Sequence, residues 1–123
     1  VVLSRARHVI TENERTLAAH RAMMHNQPET LGALMDAGHE SLQRDFEVST
    51  PALDAIAEIA RAHPACFGAR MTGAGFGGCA VAVVRSGKVQ ELMDHVRTGY
   101  QTRMNIEPQL YACKASKGAS LLP

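Results

Sequence analysis

The chain has 123 residues, enough for one compact domain, and its 46% apolar and 20% charged residues are the balance of a soluble globular protein. A net charge of +1, with Arg and Lys spread from Arg5 to Lys117 without a block, excludes the basic footprint of a nucleic-acid binder, and no apolar run is long enough to span a bilayer. Cys66, Cys79 and Cys113 are odd in number and scattered, which fits a reducing compartment rather than a disulfide framework; with no visible signal peptide, the expected location is the cytoplasm.

From Leu3 to Met24, the apolar positions Leu3, Ala6, Ile10, Leu17 and Met24 recur at helical spacing, predicting a helix with that stripe inward. Asn26-Gln27-Pro28 ends it, and Pro28 opens a second helix whose stripe is Leu31, Leu34, Met35, Gly38 and Leu42. A short turn between them predicts an antiparallel pair over residues 1–44. Asp45–Ser49 alternates and reads as a weak strand. Thr50-Pro51 then caps a third helix carrying Leu53, Ile56 and Ile59, which His63-Pro64 stops.

Phe67, Ala69 and Met71 alternate as in a strand. After Gly73-Ala-Gly-Phe-Gly-Gly78 comes the apolar run Cys79–Val84, expected to be a strand covered on both faces. Ser86 can cap a fourth helix with Val89, Leu92, Met93, Val96 and Tyr100 on one face. Asn105–Pro108 breaks it, Leu110–Cys113 reads as a strand, and Gly118–Leu122 is a short last strand or a tail. From residue 45 onward the order strand, helix, strand, strand, helix, strand is that of an α+β, ferredoxin-like split βαβ unit. It predicts an antiparallel sheet with helices on one face.

Four glycines in six residues carry the chemical information. Glycine admits positive φ and close approach, and successive N–H groups in such a loop can converge on an anion. A plain glycine-rich connection between strands is the alternative. Gly73, Gly75 and Gly78 satisfy G-x-G-x-x-G, but a strand follows where a dinucleotide fingerprint needs a helix. A protein-kinase loop lacks its V-A-I-K lysine here, with H-R-D and D-F-G also absent, and Cys79 stands where a Walker A loop needs Lys.

The stretch Phe67-Gly-Ala-Arg-Met-Thr-Gly-Ala-Gly-Phe-Gly-Gly-Cys79 resembles the third signature motif of galactokinases, a branch of the GHMP small-molecule kinases. Arg5–Asn13, His39–Asp54, Leu110–Cys113 and Gly118-Ala119 are similar to further segments of their C-terminal domain, so the resemblance covers almost the whole chain, 1–123, as one such domain (1–44 the helix pair, 45–123 the core). It implies transfer of the ATP γ-phosphoryl group to the C1 hydroxyl of galactose with Mg²⁺. It also implies an interdomain cleft that Thr72, Gly73, Ala74, Gly75, Phe76, Gly77 and Gly78 would line, and a missing N-terminal domain holding the catalytic residues. Neither G-R-x-N-x-I-G-E-H nor G-L-S-S-S occurs in the chain, which opens on Val1 like a cut through a longer protein or a processed product. No catalytic residue is therefore expected here, the chain alone is expected to be inactive, and neither ATP nor Mg²⁺ is expected to bind it by itself. Exposure of the face the other domain would cover predicts self-association, and the same sequence would also serve as a stand-alone binding or oligomerisation module.

Arg70 is either a cleft contact or an exposed position on an alternating strand. The six histidines form no H-x-x-x-H pair and have no Cys at ligand spacing, so no metal site is expected and they read as surface or helix-packing residues. Cys66, Cys79 and Cys113 read as packing residues. Asp45, Glu47 and Asp54 read as solvated carboxylates, with nothing in the sequence to fix their geometry.

Overall fold

A computed structural model describes residues 1–122. It is α+β: α1 (Val2–Met24), α2 (Pro28–Ser41), a π-helical turn (Leu42–Phe46), α3 (Pro51–Arg61), β1 (Cys66–Thr72), β2 (Cys79–Val84) and α4 (Val89–Met104). The expected helix pair is present. His8 meets Ser41 and Glu12 lies beside Gly38, so α1 and α2 run antiparallel. Pro28 and Pro51 each stand in the first helical turn, where a missing N–H is harmless, and Thr50 Oγ1 accepts the Leu53 N–H at 3.2 Å. No helix among the described residues is long and apolar enough to cross a membrane.

β1 and β2 form a two-stranded antiparallel sheet, Thr72 opposite Cys79 and Ala69 opposite Ala82, with a bulge between Cys66 and Gly68. Helix α2 lies so close on β1 that a Cβ on Gly32 would overlap the Phe67 carbonyl, and one on Gly68 would overlap the Gly32 backbone. Two small cores result. Ala57, Ala60, Ala69, Leu92 and Val96 join α3, β1 and α4; Val48, Leu53 and Met71 pack below the end of β1 with Leu42 and Phe46.

Four expectations are corrected. Asp45–Ser49 is not a strand: α2 runs on as the π-helical turn, Glu47 stops it with φ +58°, and the Val48 N–H returns to the Leu42 carbonyl. The alternation of Phe46 and Val48 was real, but both pack into a core from a helix end. The outer edge of β1, which a third strand would have paired, is occupied by side chains instead. Asp36 accepts the Ala69 N–H at 2.8 Å, His39 the Met71 N–H at 3.0 Å, and Arg61 donates to the Ala69 carbonyl at 2.6 Å. Leu110–Cys113 is not a strand, and Gly118–Leu122 takes the second of its two readings, a tail; neither joins a sheet among the described residues. Leu110 alone packs on a core and Tyr111 is exposed, too little burial to hold a ladder. β2 is accordingly not covered on both faces; Cys79, Val81 and Ala82 are exposed, and its outer edge is unpaired among the described residues. Helix α4 starts at Val89, with Lys88 before it providing no side-chain cap, after a Ser86-Gly87 turn with Gly87 at φ +80°.

The largest difference lies in α1. Its predicted inner stripe faces out: Leu3 is 73% exposed, Ile10 61%, and Ala6, Leu17 and Met24 are exposed too. Over its first half the face turned to the protein is polar: His8 is buried against Ser41 and Phe46, Arg5 bonds the Asp45 carbonyl, and Glu12 pairs with Arg70; further along, Ala22 is buried. Helical period was legible, but not which side meets the rest of the chain.

Gly68→Ala is expected to destabilise the fold by about 3 kcal/mol, the upper range for overpacking, because the obstacle is backbone. Gly32→Ala should also destabilise, although Ala is the better helix former by about 1 kcal/mol. Urea unfolding checks both, and a stabilised Gly32→Ala would contradict the contact.

Candidate functional site

The glycine loop links the ends of β1 and β2 and exposes its tip, with Phe76 76% exposed. Thr72, the six loop residues and Cys79 line a shallow depression. Gly73, Gly75, Gly77 and Gly78 have φ of +82°, +87°, +133° and +100°, and Phe76 joins them at +59°, a rare value for an aromatic residue. Gly73, Gly77 and Gly78 face open space, so their conformation alone calls for glycine. Gly75 differs: a Cβ there would overlap the Val48 carbonyl and crowd its side chain. The close approach at Gly75 is thus to this chain's own Val48, whose carbonyl accepts the Phe76 N–H at 2.7 Å.

Beneath the loop lies a polar network that sequence reasoning missed. His39, almost wholly buried on α2, accepts the Met71 N–H on Nδ1, so the ring proton sits on Nε2 and is donated to Asp54 Oδ1 at 3.0 Å. Asp54 also accepts from Ser49 Oγ at 2.5 Å and from Gln43 Nε2 at 2.8 Å. Asp54 is therefore not a solvated carboxylate. Fifteen residues separate it from His39, a distance no local pattern spans. Asp45 and Glu47 are tied as well, to Arg7 and Arg5.

The structure gathers Thr72 to Gly78 in one place and sends Arg70 elsewhere. The Arg70 guanidinium crosses over Gly38 to Glu12 Oε1 at 2.6 Å and bonds the Met71 carbonyl through Nε. Burial works to raise the Glu12 carboxyl, but hydrogen bonds from Arg15 and Arg70 outweigh it and hold the group below its ordinary value. Cys79 and Cys113 are exposed rather than packed; Cys66 is half-buried against the larger core, and burial pushes its thiol up. No group of three or more His, Cys, Asp or Glu side chains among the described residues is placed to hold a metal ion.

With this geometry in view, the family model described as GHMP kinases C terminal matches residues 19–102. This chain belongs to the GHMP kinase C-terminal family. It is 44% identical over 122 residues to the galactokinase of Staphylococcus saprophyticus, covering 99% of this chain and 32% of that protein. The galactokinase of Exiguobacterium sibiricum is 46% identical over 115 residues, 94% of this chain and 30% of its own. Among solved structures, Lactococcus lactis galactokinase complexed with galactose superimposes with a TM-score of 0.81 at 40% identity, covering 85% of this chain and 27% of that one. The GHMP domain thus spans under a third of the length of the galactokinases it matches.

Burial lowers the pKa of both His39 and His8, and no opposing carboxylate reverses it. The unfolded chain therefore takes up protons near pH 6.5 before the folded one does, so stability is full above that pH and declines below it. Thermal melting should fall by a few degrees or more between pH 7.5 and 5.5; a melting temperature that rises on acidification would contradict the buried neutral imidazoles.

Proposed function

We propose that this chain is one lobe of a galactokinase, acting with a second lobe that supplies the catalytic groups. The whole enzyme transfers the ATP γ-phosphoryl group to the C1 hydroxyl of galactose. The observation that carries this is the braced loop Thr72–Gly78, in a chain similar to galactokinases along 94–99% of its length. Phosphoryl transfer depends mainly on positioning and on donors aimed at developing charge. Backbone amides held by positive-φ residues suit that task, and Thr72 lines the same depression. No carboxylate lines the loop, so Mg²⁺ would be held by the nucleotide and by groups outside this chain. The three free cysteines fit a reducing, cytoplasmic setting.

The second lobe has a surface to meet. Val2, Leu3, Ala6, Val9 and Ile10 form an exposed apolar strip on α1. Arg5 ties that helix to Glu47, and Glu47 leads directly to Val48 and so to Phe76. Exposed apolar surface of this kind is what a covering lobe would bury. The same strip favours a second reading, a binding or oligomerisation module without kinase chemistry, because it also suits a second copy of this chain.

A chimera decides between them. With this chain in place of the C-terminal third of the Lactococcus lactis galactokinase, ATP-dependent phosphorylation of galactose should persist. Gly75→Val in that chimera should lower kcat about a hundredfold, since misplacement of about 1 Å costs that much. A folded but inactive chimera would overturn the kinase reading. The 123-residue chain alone should show no turnover, and measurable phosphorylation by it would overturn the one-lobe assignment. Light scattering should show concentration-dependent association of the chain that Ile10→Glu reduces; a monodisperse monomer would count against an uncovered α1 face.

A further inference from the structure

The glycine loop touches the body of the protein by backbone hydrogen bond at two points. At its entrance, the Met71 N–H is accepted by His39 Nδ1. At its middle, the Phe76 N–H is accepted by the Val48 carbonyl. Both lead back to one carboxylate. Asp54 accepts the Nε2–H of His39 and also the hydroxyl of Ser49, the residue after Val48. Met71 and Val48 further share the small core below the loop, with Met71 fully buried, so the two anchors are packed as well as bonded together.

We propose that His39 and Asp54 act as one positioning unit that fixes the glycine loop at its entrance and at its middle. His39 supplies the acceptor for the strand end, and Asp54 orients that ring and the 48–49 segment at once. Neither side chain lines the loop depression, so both are positioning residues. Hydrogen-bond networks with a shared member respond to deletion as a unit rather than bond by bond. What the braced loop meets rests on the function proposed above; the bracing does not.

Amide hydrogen exchange on the 123-residue chain, without nucleotide or sugar, tests it. His39→Phe keeps ring volume and removes the acceptor; His39→Asn keeps an oxygen near the place of Nδ1; Ser49→Ala cuts Asp54 from the segment that holds Phe76. In His39→Phe the amides of both Met71 and Phe76 should exchange at least about tenfold faster, while those of Ala57 and Val96 in the larger core change less than about twofold. His39→Asn should recover most of the Met71 protection. Ser49→Ala should speed Phe76 and, through Asp54, Met71.

Acceleration of Met71 alone in His39→Phe would show two independent anchors and overturn the unit. Equal acceleration through the larger core would reduce His39 to a fold-stabilising residue and overturn it too. Should His39→Phe fail to fold, the Asn and Ala variants decide by the same two amides. Because no ligand is added, a failed kinase assignment leaves this result intact, and a failed brace leaves the assignment intact.

Discussion

The backbone contact between Gly32 of α2 and Gly68 of β1 is the constraint on which the architecture turns. Any side chain at either position would hold helix and strand apart. At that separation Asp36 and His39, four and seven residues along α2 from Gly32, reach the outer edge of β1 and accept the Ala69 and Met71 amides. Arg61 from α3 closes the same edge through the Ala69 carbonyl and pairs with Asp36. A short strand that would otherwise carry unsatisfied backbone is completed by side chains of two helices. The loop that follows inherits its position from them.

Helices and strands were legible wherever local physics decides. Pro28 and Pro51 sit where helices begin, and apolar period placed α2, α3 and α4. The glycines announced the loop because backbone with positive φ leaves few other choices of residue. Asp45–Ser49 misled because Phe46 and Val48 alternate in burial from a π-helical turn and the loop after it, and two such residues fit a strand equally well. Leu110–Cys113 misled because one anchored side chain is indistinguishable in sequence from the first of several.

What stayed hidden was tertiary. The α1 stripe is genuine, yet Arg5, His8 and Glu12 on the opposite side find bonded partners in α2, the π-helical turn and β1. Buried and half-buried polar side chains with partners outcompete an apolar stripe that has none among the described residues. His39 and Asp54 look in sequence like a helix histidine and a helix-start carboxylate. Only the α2–β1 contact brings a backbone amide to one and a neighbouring loop to the other.

The free margin of β2 has a consequence for the life of the polypeptide in a cell. Cys79, Val81 and Ala82 lie bare along a ladder that, among the described residues, stops after two strands. Unpaired N–H and C=O groups of this kind invite any extended peptide to add on, and no proline interrupts the row. Until something covers it, such an edge would favour addition of extended peptides to the molecule, and so coaggregation. Its abundance would then be governed by how quickly that margin is sealed, rather than by how well its two small cores are packed.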